Sequence, residues 1–103
     1  MRTSETRVRV PDVILYAGPM PEGRIATTPP HIAIEIVSPD DRVGDMQEKI
    51  DEYLAFGVPY VWIVNPPTRK AWVYTAQGAT PVRDGFLRAA NPEIAVPLEE
   101  LFA

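Results

Sequence analysis

The chain has 103 residues, which fits one domain with its own hydrophobic core, and we expect a single domain over residues 1–103. It has no cysteine, which excludes disulfides and thiolate metal sites. The formal net charge of −4 counts against strong nonspecific binding of nucleic acid. The sequence has no leader and no apolar run of about 18 residues, so we expect a soluble, cytoplasmic protein without a membrane segment.

The first part of the chain predicts strands separated by a long loop. Residues 1–6 are polar and are expected to be frayed, whereas residues 7–10 alternate as a half-buried strand does. Residues 12–17 form a mostly apolar run of strand length, and residues 18–30 are rich in proline and predict a loop. Residues 31–37 are β-branched and almost continuously apolar, which indicates a strand covered on both faces.

The middle of the chain predicts one long helix, from about residue 41 to residue 56. Ser38 is a candidate N-cap and Pro39 suits the first helical position, although Gly44 leaves the start open by several residues. Gly57 is expected to end the helix. Apolar residues recur at helical spacing along this segment, at Val43, Met46, Ile50, Tyr53 and Leu54.

The last part of the chain returns to strand patterns. Residues 60–64 predict a strand, residues 65–68 a turn, and residues 70–74 an alternating strand that pairs antiparallel with the one before it. Residues 80–97 contain two short strand candidates around Gly85, and residues 98–102 predict a short terminal helix.

This order of elements predicts the fold class. A strand, a helix and a second strand in succession form a crossover whose two strands are expected to be parallel, with a right-handed connection. The other connections favour antiparallel pairing. We therefore predict an α/β fold with a mixed β-sheet and one main crossover helix.

Three charged residues lie at positions where the pattern of strands and helix does not by itself explain a charge. Asp12 begins an apolar strand, Glu35 interrupts the strand with the strongest signal, and Lys49 lies on the predicted helix. A buried carboxylate is costly unless it is paired or bound to metal. If Asp12 and Glu35 lie on neighbouring strands, their oxygens can converge on one hard cation such as Mg²⁺. Ala33 shares the face of Glu35 and leaves space beside it.

The segments around these residues carry a resemblance to a known family. They are Val10-Pro11-Asp12-Val13, residues 30–39, Asp45 with Lys49, Tyr53, and residues 57–64. Together they resemble the Uma-two family of putative restriction endonucleases, which belongs to the PD-(D/E)XK nuclease superfamily. The ending at residues 96–102 is also similar, so the resemblance covers about residues 7–103.

This resemblance implies a restriction-endonuclease-like core and a set of site residues. Asp12 and Glu35 would be metal ligands, and the main-chain carbonyl of Ile36 would be a further ligand. The superfamily lysine usually lies two residues after the second acid, where this chain has Val37. In this family that role is thought to lie on the following helix, where Lys49 matches. The implied cofactor is Mg²⁺, with Mn²⁺ as a substitute, and the implied partner is DNA.

The resemblance also leaves two functions open. Asp12, Glu35 and Lys49 would together serve a magnesium-dependent DNA endonuclease that hydrolyses phosphodiester bonds. Family members usually have a longer N-terminal part, so this chain is expected to be a shortened member or one whose start is misplaced or trimmed. That leads us to expect a homodimer that covers exposed apolar surface. The alternative is a catalytically inactive relative that acts as a dimeric or partner-binding module.

Each site residue also has a plain structural interpretation. Asp12 can be a polar residue at a strand edge. Glu35 can form a structural ion pair with an arginine, and the candidates are Arg7, Arg9 and Arg42. Lys49 can form a solvated helical salt bridge with Asp45, four residues earlier. Tyr53 is expected to be a core residue.

Overall fold

The computed structural model describes residues 12–16, 29–38 and 41–101. The predicted strand at 7–10, the frayed residues 1–6 and most of the predicted loop at 18–30 lie outside these ranges. Within them the chain forms one α-helix, α1, two short 3-10 helices and seven strands. The strands are β1 Val13–Leu15, β2 Ile32–Ile36, β3 Tyr60–Asn65, β4 Lys70–Thr75, β5 Gly78–Pro81, β6 Phe86–Ala89 and β7 Ile94–Pro97, with α1 at Val43–Phe56 and the 3-10 helices at Pro66–Thr68 and Leu98–Leu101.

The first five strands form one mixed sheet in the order β1-β2-β3-β4-β5. β2 and β3 pair in parallel from Ile32 opposite Tyr60 to Ile36 opposite Val64, and α1 connects them. The β3–β4 and β1–β2 pairs are antiparallel. The predicted α/β fold with a mixed sheet and one crossover helix is therefore confirmed.

Both faces of β2 are covered, which explains why its sequence is almost continuously apolar. On one face Ile32 and Ile34 pack in a cluster with Trp62 and Leu87. On the other face Ala33 packs in a second cluster whose other members come from α1, from the turn after it and from β3, namely Ile50, Tyr53, Val58, Val61 and Ile63. The helix therefore covers the face of β2 that carries Ala33 and Glu35.

The helix begins close to the predicted start at about residue 41, but the prediction that Ser38 is its N-cap is wrong. The helix begins at Val43, with Arg42 at the N-cap position and no side-chain capping hydrogen bond, so Ser38 is not the cap. Ser38 instead belongs to a turn before the helix. Its N–H donates to Oδ2 of Asp41 at 2.8 Å, and the N–H of Asp41 donates to the carbonyl of Ser38 at 3.0 Å. The aspartate side chain thus closes a local turn, which competes with helical geometry.

The prediction that Gly57 ends the helix is confirmed. Gly57 has a φ of 110° and its N–H donates to the carbonyl of Leu54 at 3.1 Å. The next N–H, that of Val58, donates to the carbonyl of Tyr53 at 3.0 Å, which satisfies a second helical carbonyl. No helix among the described residues is long and apolar enough to cross a membrane.

The C-terminal part contains one more strand than the sequence predicts. β5 extends the main sheet beyond β4, while β6 and β7 form a separate antiparallel pair. Leu87 and Ala89 of β6 and Leu98 of the last 3-10 helix pack on the face of the main sheet that α1 leaves uncovered. Trp62 is fully buried between these layers.

Gly57 provides a test of how the helix ends. A Cβ at this position would lie 3.3 Å from Cγ of Pro29, and an L side chain rarely adopts its φ. We expect Gly57→Ala to lower the free energy of unfolding by about 1–3 kcal/mol, as measured by urea denaturation. Gly44→Ala is the matched control, because open space surrounds Gly44 and alanine favours the helix by up to about 1 kcal/mol. Equal effects of the two substitutions would contradict this explanation.

Candidate metal centre

Glu35 lies on β2 in the layer between the sheet and the helix. It is 3% exposed, and among the described residues it is the one charged side chain that is buried. Its Oε1 accepts a hydrogen bond of 2.6 Å from the hydroxyl of Tyr53. Its Oε2 lies 3.9 Å from Nζ of Lys49, which is an ion-pair distance and too long for a hydrogen bond. The carboxylate thus has a different partner on each oxygen.

The crossover helix supplies both partners. Lys49 and Tyr53 are four residues apart and therefore lie on the same side of α1. The side chain of Lys49 is 29% exposed, so its ammonium group reaches Glu35 and remains accessible to water. Tyr53 is fully buried. One turn of α1 thus places the ammonium group of Lys49 at the partly exposed edge of the site and the hydroxyl of Tyr53 at its buried end.

Asp12 reaches the same site from the neighbouring strand. In the β1–β2 pair Val13 lies opposite Ile34, and the same register continued by one residue places Asp12 opposite Glu35. Asp12 is exposed, and its Oδ2 accepts a hydrogen bond of 2.7 Å from the N–H of Ile36. This bond extends the β1–β2 pairing one step beyond the end of β1 and holds the Asp12 carboxylate beside β2.

The electrostatics show that the two carboxyl groups are neighbours. Burial raises the pKa of Glu35 above its ordinary value of 4.5, and this is the largest effect. The hydrogen bond from Tyr53 and the charge of Lys49 act in the opposite direction. The charge of Asp12 and a side-chain hydrogen bond with Asp12 raise the pKa further. A second acid nearby thus favours the protonated form of Glu35 when no cation neutralises the pair.

The donor set fits a hard divalent cation. Mg²⁺ is usually held by one or two carboxylates, with water and substrate oxygens completing its octahedron. Asp12 and Glu35 each have one oxygen held by a donor of the protein, which orients the carboxylate. The N–H and carbonyl of a strand residue point to the same side, so the Ile36 carbonyl faces the Asp12 side as its N–H does. Residues 12–16, 29–38 and 41–101 contain no group of three or more histidine, aspartate or glutamate side chains that could hold a metal.

The structure tests the interpretations of Glu35 as the ion-pair partner of an arginine and of Lys49 as the helical partner of Asp45. Within the described ranges the ion-pair partner of Glu35 is Lys49 and not Arg42, while Arg7 and Arg9 lie outside those ranges. Lys49 forms that ion pair with Glu35 rather than a helical bridge with Asp45.

Val37, which occupies the usual superfamily lysine position, packs against the apolar cluster under the helix. The positively charged side chain of this site therefore comes from α1, through Lys49, and not from β2.

The hydroxyl of Tyr53 is the site feature that the sequence analysis missed. Tyr53 is buried in the core, as expected, but its hydroxyl binds Glu35. The signal available in the sequence was its position four residues after Lys49, on the side of the helix that faces the acid.

The fold is an α/β fold with a mixed sheet and one crossover helix, and comparisons with known proteins relate it to nuclease-like proteins. The sequence model of the Uma2 family, described as "Putative restriction endonuclease", matches residues 1–101. The chain therefore belongs to the Uma2 family, as its motifs predicted. A comparison with curated proteins gave no match.

A solved structure is similar to this fold. It is a crystal structure described as a putative nuclease belonging to DUF820 from Anabaena variabilis. The TM-score is 0.60 at 25% sequence identity, over 78% of this chain and 49% of the other. The chain thus spans about half the length of that protein.

The raised pKa of Glu35 predicts how stability depends on pH without metal. In the unfolded chain Glu35 ionises near its ordinary value of 4.5, whereas the folded protein retains the proton to higher pH. Its contribution to stability is therefore fully present below that value and is lost as the pH rises through the folded pKa.

We expect the free energy of unfolding of the wild type to fall relative to that of Glu35→Gln as the pH rises above 4.5 in EDTA. Urea denaturation at a series of pH values measures the difference. The control variant Glu99→Gln makes the same substitution at an exposed position away from the site. Parallel pH curves for the wild type and Glu35→Gln would show that Glu35 ionises normally.

Proposed function

We propose that this chain carries the catalytic centre of a magnesium-dependent endonuclease that hydrolyses phosphodiester bonds in DNA. The observation that carries the proposal is the meeting of Asp12 and Glu35, 23 residues apart in the chain, beside the ammonium group of Lys49. The fold offers no structural reason to bring two acids together in a partly buried site, since their repulsion costs stability. A divalent cation would supply that reason.

The carboxylates of Asp12 and Glu35 and the carbonyl oxygen of Ile36 would hold the cation. Mg²⁺ bound by such oxygens polarises a phosphoryl oxygen and lowers the pKa of a water molecule. Mn²⁺ has the same preference for oxygen ligands and is expected to substitute. The hydrogen bonds from Ile36 and Tyr53 keep the two carboxylates oriented for this role.

Lys49 would act on the substrate directly. Its ammonium is 3.9 Å from Glu35 and partly accessible, so a scissile phosphate next to the acids would come within its reach. Hydrolysis adds a water oxygen to phosphorus and breaks the bond to one ester oxygen, and negative charge grows on the phosphate oxygens during this step. A fixed cation at that point stabilises the charge where it develops.

DNA as the substrate is supported by the family description and by the description of the similar crystal structure as a nuclease. The net charge of −4 counts against strong nonspecific binding of DNA, so the proposal depends on local cations such as Lys49. The homodimer stays a prediction, which sedimentation velocity would test.

Cleavage of supercoiled plasmid tests the proposal. We expect nicking to require Mg²⁺ or Mn²⁺ and to fall by about 100-fold or more in Asp12→Asn, Glu35→Gln and Lys49→Met, because each removes a charge at the reacting centre. Exposed Glu99→Gln is the control and should cleave as the wild type does. Equal cleavage by the wild type and the three site variants would refute these assignments.

Thermal unfolding separates the endonuclease from a catalytically inactive relative. A cation that binds the folded state alone raises the melting temperature with its concentration. We expect such a rise with Mn²⁺ and Mg²⁺ for the wild type, and its loss in Glu35→Gln. If neither ion changes the melting temperature and no cleavage occurs, the partner-binding module becomes the better explanation.

A further inference from the structure

Tyr53 is a polar side chain in an otherwise apolar layer. It is fully buried between α1 and the sheet, in the cluster that contains Ala33, Ile50, Val61 and Ile63. Phenylalanine would fill the same space without a hydroxyl to desolvate. The hydroxyl of Tyr53 donates to Oε1 of Glu35 at 2.6 Å, a short distance typical of a hydrogen bond to a charged acceptor.

This hydrogen bond holds the Glu35 carboxylate in place from the side of the core. A glutamate side chain has three torsions, and its terminal group turns freely unless a partner fixes it. Lys49, at 3.9 Å from Oε2, attracts the carboxylate but is too far away to orient it. With Oε1 held from the core side, Oε2 is the oxygen on the side of Lys49.

Asp12 is held in a corresponding way. Its Oδ2 accepts the N–H of Ile36, a main-chain donor that the sheet keeps in place. Each acid of the centre thus has one oxygen bound to a donor of the fold, one from the strand and one from the helix. Such outer partners orient ligands and raise the affinity for metal.

We propose that Tyr53 is a positioning residue of the metal centre: its hydroxyl fixes Oε1 of Glu35 so that Oε2 faces the space shared with Lys49, where the cation binds. This inference rests on the proposed function and adds a residue that acts through Glu35 without touching the cation or the substrate. It also makes α1 a source of two functional side chains, Lys49 and Tyr53, one helical turn apart.

Binding of Mn²⁺, measured by calorimetry or by the electron paramagnetic resonance signal of the free ion, tests the inference without any turnover. We expect Tyr53→Phe to weaken Mn²⁺ binding by about 10- to 100-fold, the usual loss when a partner of a metal ligand is removed. Tyr60→Phe is the matched control. It also removes a hydroxyl that forms a hydrogen bond, from the N–H of Ala90 at 3.2 Å, but Tyr60 packs on the opposite face of the sheet.

Plasmid cleavage gives a second readout that a merely structural role would not change. In Tyr53→Phe the Mg²⁺ concentration for half-maximal cleavage should rise about 10- to 100-fold, while the rate at saturating Mg²⁺ stays within a few-fold of wild type. Tyr53→Met is a second variant without the hydroxyl, and circular dichroism without metal confirms that each variant is folded.

The outcomes separate the two proposals. Wild-type Mn²⁺ affinity in folded Tyr53→Phe, together with lost binding in Asp12→Asn and Glu35→Gln, overturns the positioning role and leaves the metal centre intact. Absence of Mn²⁺ binding in the wild type overturns both. Weaker binding in Tyr53→Phe with an unchanged Tyr60→Phe supports the role of Tyr53.

Discussion

The burial of one carboxylate between a strand and a helix is the constraint on which the site depends. Glu35 is 3% exposed, and removing a charge from water costs free energy that only specific partners can offset. The partners are Tyr53 and Lys49, both on α1, so the helix must cross β2 at one height and one rotation for both contacts to form. Apolar packing of the same helix face against β2 and β3 supplies the stability that permits this arrangement.

The second acid raises the electrostatic free energy of the metal-free site, and a bound cation would lower it. Asp12 adds its charge to a carboxyl group whose pKa is already raised by burial, so the metal-free pair is electrostatically unfavourable. The fold nevertheless holds Asp12 there through the N–H of Ile36. A buried acid with a perturbed pKa is a frequent mark of functional sites, because binding energy from a ligand compensates for the cost. Lys49 reduces the repulsion, and its side chain is partly exposed to water.

Membership of the Uma2 family and the likeness to a DUF820 crystal structure agree with this chemistry. The chain spans about half of that larger protein, yet its described residues already contain Asp12 just before β1, Glu35 on β2 and Lys49 on α1. The layer formed by β6, β7 and the last 3-10 helix lies on the opposite face of the sheet, over Trp62. One face of the sheet thus carries the site, and the other completes the core.

Local pattern in the sequence determined β2, α1, β3 and β4, because alternation, helical spacing and a terminal glycine act within a few residues. It also singled out Glu35, since a charge within a continuous apolar strand is visible without coordinates. Contacts between distant residues decided the rest: the hydroxyl of Tyr53 on Glu35, the N–H of Ile36 on Asp12, and the hairpin over Trp62. The start of the helix at Val43 depended on the turn that Asp41 closes with Ser38. Periodicity tells which face a residue occupies, but only packing in three dimensions fixes which atoms meet there.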